Sequence, residues 1–164
     1  MEHTDIQKTA AFTGHRFIPL NERKRLKSSL METILACYRS GIRYFISGMA
    51  VGFDLLSAET VLEMKDDCPD IQLIAVVPFR NQPDRFSQRD KTRYRMLLEN
   101  ADEVILLSKT YFEECFLRRN DYMLNHASRI ITYFNGEPKG GTYYTYKRAV
   151  QKGMEINNLY NINK

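Results

Sequence analysis

Several features that mark specialised protein classes are missing from this sequence. The chain of 164 residues has no tryptophan, only three cysteines and three histidines. Cys37, Cys68 and Cys115 lie far apart without a CxxC pair, and the histidines show no HExxH spacing. These absences argue against a disulfide framework and against a metal site, and they predict reduced thiols in a cytoplasmic protein.

Long apolar runs and strong charge are also lacking. No run approaches the roughly 18 apolar residues of a membrane span, and the polar start over residues 1–5 predicts no secretory signal. The net charge is only +4, with lysine and arginine dispersed, so nucleic acid is not the expected partner. The length predicts one domain over residues 1–164, and a homodimer is one of the oligomeric states that the sequence allows.

Apolar runs and helical periods alternate along the whole chain. Strands are predicted over residues 9–13, 44–46, 71–77, 104–107 and 130–134, with a last edge strand over 154–160. Helices are predicted from an N-cap at Asn21 to Gly41, from Phe53 to about residue 66, over 88–100, and from an N-cap at Thr142 to Gly153. A further helix is predicted over 111–127, either continuous or broken near Cys115. This order predicts an α/β fold, a three-layer, Rossmann-like parallel sheet with helices on both faces.

Three glycine turns follow predicted strands, at Gly14, at Gly48 to Gly52, and at Gly140-Gly141. The middle turn leads from a buried strand into the helix at Phe53, whose free N–H groups and positive dipole end favour an anion. Because ligands bind outside the carboxyl ends of parallel strands, the three turns together predict an anionic ligand of nucleotide size.

Polar side chains near these turns are the candidates for chemistry. Thr13, His15 and Arg16 can contact phosphate, although they can equally cap or solvate a loop. Asp54, in the first turn of its helix, can accept hydrogen bonds from a ribose. Glu59 is either a base that faces the crevice or half of an ion pair with a neighbouring helix. On the predicted helix 111–127, Arg118 is expected to face solvent, whereas Asn120 is a better candidate for the site.

The motifs together resemble a known family. Ser47 to Asp54 (SGMAVGFD) is similar to the SGLAxGID signature of the DNA-processing DprA proteins. Nearly the whole chain resembles the YpsA-like proteins of the SLOG superfamily, which joins DprA with the LOG phosphoribohydrolases. The further motifs that carry this resemblance are Thr13-Gly14-His15-Arg16, Ala58-Glu59, Pro78-Phe79 with Gln82, Arg119-Asn120 with Met123, and Gly140-Gly141-Thr142.

The resemblance implies a Rossmann-like fold and a pocket for a nucleotide or nucleotide derivative, such as NAD, ADP-ribose or a nucleoside phosphate. No reaction and no certain cofactor follow from it. Residue pattern and resemblance together predict ligand contacts from Thr13, Gly14, His15, Arg16, Ser47, Gly48, Met49, Gly52, Asp54, Glu59, Pro78, Gln82, Asn120, Gly140, Gly141 and Thr142.

The chain departs from the LOG pattern at one chemically important position. LOG enzymes carry PGGxGTxxE, and if Gly141-Thr142 takes the place of its GT, Thr145 occupies the glutamate position. We therefore expect a sensor or accessory protein that binds a nucleotide. The alternatives are a LOG-like nucleotide N-glycosidase, with Glu59 as its candidate catalytic group, and a DprA-like protein that binds single-stranded DNA.

Overall fold

A parallel sheet of six strands forms the centre of the computed structural model, which describes residues 5–160. Five α-helices connect the strands. The strands are β1 (Thr9–Gly14), β2 (Tyr44–Ser47), β3 (Gln72–Val77), β4 (Glu103–Leu106), β5 (Arg129–Tyr133) and β6 (Glu155–Asn158). The helices are α1 (Arg23–Arg39), α2 (Phe53–Met64), α3 (Gln88–Asn100), α4 (Cys115–Asn125) and α5 (Gly140–Gln151).

The strand order is β4-β3-β2-β1-β5-β6, and every pairing is parallel. Side chains of the central strands are buried alternately on the two faces. In β1, Phe12 packs in the core beneath α1, α2 and α3, whereas Ala11 packs with Met123 of α4 and Ala149 of α5. The helices thus cover both faces of the sheet, which confirms the predicted three-layer α/β fold.

Three predicted helix starts are displaced in the structure. Asn21 lies inside a short 3-10 turn (Leu20–Glu22), and α1 begins only at Arg23. The predicted helix over 111–127 begins only at Cys115, after a turn closed by the hydrogen bond from the Cys115 N–H to the Phe112 carbonyl at 3.0 Å. Lys139 is extended and caps α5 at Gly140, so the prediction of Thr142 as the N-cap is wrong.

The direction of strand addition changes at β1. From β1 to β4 the chain adds strands on one side, and α4 then returns it to β5 on the other side of β1. β1 and β5 stay joined at their carboxyl ends, because the backbone N–H of His15, just after β1, donates to the carbonyl of Tyr133 at 3.1 Å. Such a switch point leaves a crevice at the carboxyl ends of the strands, where ligands bind in open α/β sheets. Within residues 5–160, no helix is long and apolar enough to cross a membrane.

Candidate functional site

A cavity of about 310 Å³, here called the first cavity, opens at this switch point. Four elements that are distant in sequence meet around it: the end of β1, the start of α2, one face of α4 and the start of α5. The predicted site residues that line it are Thr13, Gly14, His15, Arg16, Asp54, Asn120, Gly140, Gly141 and Thr142. More than half of the predicted ligand contacts are therefore brought together in one place.

The first cavity has a positive side formed by the start of α5 and by two arginines. Gly140 and Gly141 are exposed, and no atom lies within 4 Å of the place where a Cβ on Gly140 would stand. Gly140 has a φ of 90°, a conformation that glycine adopts at little cost. The first N–H groups of a helix carry partial positive charge, and Arg16 and Arg119 add two full charges. This side of the cavity suits an anion.

Arg119 is buried within α4, with only 5% of its surface exposed. Its guanidinium donates to the carbonyl of Gly48, and its Nε donates to Asn120 Oδ1 at 2.8 Å. Burial lowers the pKa of this guanidinium, and the nearby carboxylate of Asp54 opposes that shift. The sequence analysis did not include Arg119 among the ligand contacts. Its spacing of four residues from the buried Cys115 and Met123 was the available signal that it faces inward.

Asp54 supplies a buried carboxyl group to the first cavity. Its Oδ2 accepts a hydrogen bond from the Ala50 N–H at 3.3 Å, whereas its Oδ1 has no partner within the described chain. Burial raises the pKa of Asp54 to about 6, although Arg119, the Ala50 N–H and Arg16 each favour the charged form. The cavity therefore contains an acceptor that can change its protonation near neutral pH.

In the turn between β2 and α2, Ala50 lines the first cavity, whereas the other turn residues named here support its wall from behind. The Ser47 hydroxyl donates to the Asp54 carbonyl at 3.0 Å and accepts from the Met49 N–H at 3.2 Å. Met49 has a left-handed φ of 64°, and Gly52 has a φ of 81°. Gly48 is buried against Arg119. The structure thus places Ser47, Gly48, Met49 and Gly52 behind the wall of the cavity.

His15 connects the loops that follow β1 and β5. The backbone N–H of Asn135 donates to His15 Nε2 at 2.9 Å, so this nitrogen carries no proton in that arrangement. Burial lowers the pKa of His15, which also favours the neutral ring. His15 therefore orients the β5–α5 loop and leaves positive charge to the arginines.

Two positions that bear on catalysis lie outside the first cavity. Glu59 forms an ion pair with Arg93 of α3, with Oε1 at 2.5 Å from Nη2 and Oε2 at 3.0 Å from Nε. Of the two roles that the sequence allowed for Glu59, the structure shows the ion pair. Thr145 is buried in α5, and its hydroxyl donates to the carbonyl of Gly141 at 3.0 Å.

A second cavity of about 800 Å³, here called the aromatic cavity, adjoins the first. Phe79, Phe86, Tyr111 and Phe116 contribute aromatic rings to its walls. Gln82 also lines it, but the amide is already engaged, since Nε2 donates to the Gly48 carbonyl at 3.2 Å and Oε1 accepts from the Tyr94 hydroxyl at 3.3 Å.

One predicted contact, Pro78, is buried and lines neither cavity. In the part of the chain that the structure describes, no group of three or more His, Cys, Asp or Glu side chains is arranged to hold a metal ion.

Comparison with known proteins now identifies the family. A family model described as the YspA SLOG family, named YpsA, matches residues 11–163. The chain belongs to this family. A UPF0398 protein of Bacillus cereus strain B4264 is 26% identical over 162 residues, which cover 93% of this chain and 88% of the relative. A UPF0398 protein of Bacillus thuringiensis strain Al Hakam has the same identity and coverage.

Solved structures of the same fold include two that are only distantly related in sequence. DNA processing protein A of Helicobacter pylori, described by its single-stranded DNA binding mode, superposes with a TM-score of 0.64 at 17% identity. The superposition covers 93% of this chain and 64% of that protein, so this chain spans less than two thirds of its length. TM1055 superposes with a TM-score of 0.55 at 15% identity, covering 92% of this chain and 72% of TM1055. The fold of this SLOG protein is therefore of the DprA and LOG type.

Proposed function

We propose that this SLOG protein binds a nucleotide or nucleotide derivative in the first cavity and serves as a sensor or accessory protein. One observation carries the proposal: the exposed start of α5 and the charges of Arg16 and Arg119 converge on a single cavity at the sheet's switch point. Helix N-termini and arginines both commonly bind phosphate in proteins. The proposal treats residues 1–164 as one nucleotide-binding domain in the cytoplasm.

Five residues of the first cavity bind the ligand in this proposal. The backbone N–H groups of Gly140 and Gly141 and the guanidinium of Arg16 bind phosphate. The free Oδ1 of Asp54 and the amide of Asn120 bind hydroxyl groups of the sugar. A hydroxyl that donates to Asp54 Oδ1 would give this buried oxygen the partner that it lacks.

Neither alternative function has comparable support. An N-glycosidase that uses Glu59 would need this carboxylate in the cavity, but it pairs with Arg93 and lines neither cavity. For DNA binding, the likeness to the Helicobacter pylori protein concerns the fold, and the modest net charge of +4 does not favour a polyanion.

Thermal shift assays test the proposal without knowledge of any reaction, because a ligand that binds only the native state raises its stability. AMP, ADP, NAD and ADP-ribose are compared with adenosine, which lacks phosphate. At least one phosphate-bearing compound should raise the melting temperature more than adenosine does.

Two arginine variants separate specific binding from general charge effects. Arg16→Ala should weaken binding by about one to two powers of ten, the usual effect of losing a charge-assisted hydrogen bond. Arg118→Ala is the matched control, because Arg118 is exposed on α4 and lines neither cavity. The proposal fails if no compound stabilises the wild type, or if both variants weaken binding equally. Light scattering of the same samples tests the homodimer.

A further inference from the structure

We propose that the aromatic cavity is a nucleobase subsite, which binds the ring of the ligand whose phosphate occupies the first cavity. This inference rests on the proposed function and specifies how the ligand lies across the protein. The ligand class is a nucleoside phosphate with its charged end at α5 and its base beside the loop that follows β3.

The two cavities adjoin each other. Arg16, Ala50 and Phe116 line both of them, so the border between the cavities runs along these three residues. The guanidinium carbon of Arg16 lies 5.2 Å from the centre of the Phe116 ring. A ligand that extends across this border meets a positive charge and an aromatic ring side by side, which matches the junction of a phosphorylated sugar with its base.

Size also favours a ligand that occupies both cavities. At about 310 Å³, the first cavity stands at the lower end of the range for small-molecule sites, roughly 300–1,000 Å³. The aromatic cavity, at about 800 Å³, has space for a heterocyclic ring. A phosphate and its sugar therefore use the smaller, charged space, and the base uses the larger one.

One ring of the aromatic cavity, that of Tyr111, is largely open to solvent. Phe79 contacts Tyr111 edge to face, with ring centres 5.4 Å apart, and contacts Phe116 in the same way at 5.8 Å. Tyr111 nevertheless leaves 59% of its surface exposed. Large aromatic side chains bury their surface where they can, and stacking on a base would cover it.

Polar groups at the rim distinguish this cavity from a purely apolar groove. Asn81 and Asp84 line it on the loop that follows β3, next to the rings. Their amide and carboxylate groups provide the donors and acceptors that bind the edges of a base. Gln82 does not serve this purpose, because its amide is held by Gly48 and Tyr94.

The experiment uses two probes that differ only in the base. Ethenoadenosine monophosphate is fluorescent and is quenched by aromatic stacking, whereas ribose 5-phosphate carries the phosphate and sugar alone. The protein has no tryptophan, so excitation of the fluorescent probe meets little interference. Binding of the first probe is followed by fluorescence, and binding of the second by thermal shift.

Tyr111→Ala should weaken ethenoadenosine monophosphate roughly ten-fold, within the range of one lost stacking partner, and should leave the affinity for ribose 5-phosphate unchanged. Tyr111→Phe should bind both probes as the wild type does. Phe112→Ala is the matched control, because Phe112 is the next residue, is 37% exposed and lines neither cavity.

The outcomes separate this inference from the proposed function. If the wild type binds both probes but Tyr111→Ala and Phe112→Ala behave alike, the base subsite is refuted and the phosphate site stands. Equal loss of both probes in Tyr111→Ala also refutes the subsite, since the ring would then act on the whole site. If the wild type binds neither these probes nor any phosphate compound of the thermal shift series, the proposed function fails first, and the subsite fails with it.

Discussion

The protonation of Asp54 makes the stability of this protein depend on pH in a direction opposite to that of most carboxylates. Burial raises the pKa of Asp54 to about 6 from its ordinary value of 3.8. A carboxyl group whose pKa is raised on folding binds its proton more tightly in the native state. The free energy of unfolding therefore falls as pH rises from the unfolded pKa to the folded one, and this loss is complete above both values.

The Asp54→Asn variant measures this contribution, because asparagine resembles the protonated carboxyl group in shape and charge. Linkage with the two pKa values predicts that ionisation costs the wild type about 1 kcal/mol at about pH 4.5 and about 3 kcal/mol at about pH 7.5. Between about pH 4.5 and about pH 7.5, the free energy of unfolding of the variant should thus rise by about 2 kcal/mol relative to that of the wild type. Any fixed cost of the asparagine amide cancels from this change.

Urea denaturation followed by circular dichroism gives the free energy of unfolding of both proteins at both pH values. A carbon-13 NMR titration of the Asp54 carboxyl group provides an independent check, with a midpoint expected near 6. The reasoning is refuted if the stability difference is the same at both pH values. It is also refuted if the wild type gains on the variant as pH rises, since ionised Asp54 would then stabilise the fold through Arg119.

Three further predictions concern the scaffold and the rival functions. Gly52→Ala should lower the free energy of unfolding by roughly 2 kcal/mol or more, because its Cβ would stand 2.2 Å from the carbonyl oxygen of Arg16 at a φ of 81°; urea denaturation measures this. Glu59→Gln should cost less than about 1 kcal/mol, since its ion pair with Arg93 is partly exposed, and should leave nucleotide affinity unchanged in the thermal shift assay. Single-stranded oligonucleotides should show little binding near physiological salt by fluorescence anisotropy, whereas tight binding that weakens steeply with added salt would contradict this.

The fold could be predicted from the sequence because each strand carries its own signal. The buried strands β1, β3 and β5 are apolar runs bounded by polar or glycine-containing segments, and their alternation with helical periods permits few topologies. Helix ends were harder to place. They depend on local geometry, such as the extended backbone of Lys139, that residue type alone does not determine.

The candidate site was predicted in part, with a systematic gap. Residues in turns, such as Arg16 and Gly140, were found because glycine and charge are conspicuous after a strand. Arg119 and Phe116 were not included, because both lie on α4, where charged and aromatic residues are ordinary. Helical spacing indicates that Arg119 faces inward, but its place at the cavity depends on the return of the chain from β4 to β5, which is a feature of the topology.

The glycines show how one sequence signal can arise from two physical causes. A Cβ on Gly14 would stand 2.5 Å from the Phe53 ring, and a Cβ on Gly48 would stand 2.7 Å from the Arg119 side chain. Glycine at these positions permits close packing of the protein against itself. A Cβ on Gly140, in contrast, would meet nothing within 4 Å, so packing does not explain that residue. Glycine is explained there by the left-handed backbone, at the exposed start of α5. The three glycine turns therefore do not contribute equally to the proposed site, since the first two permit close packing around it and the third presents exposed backbone at the start of α5.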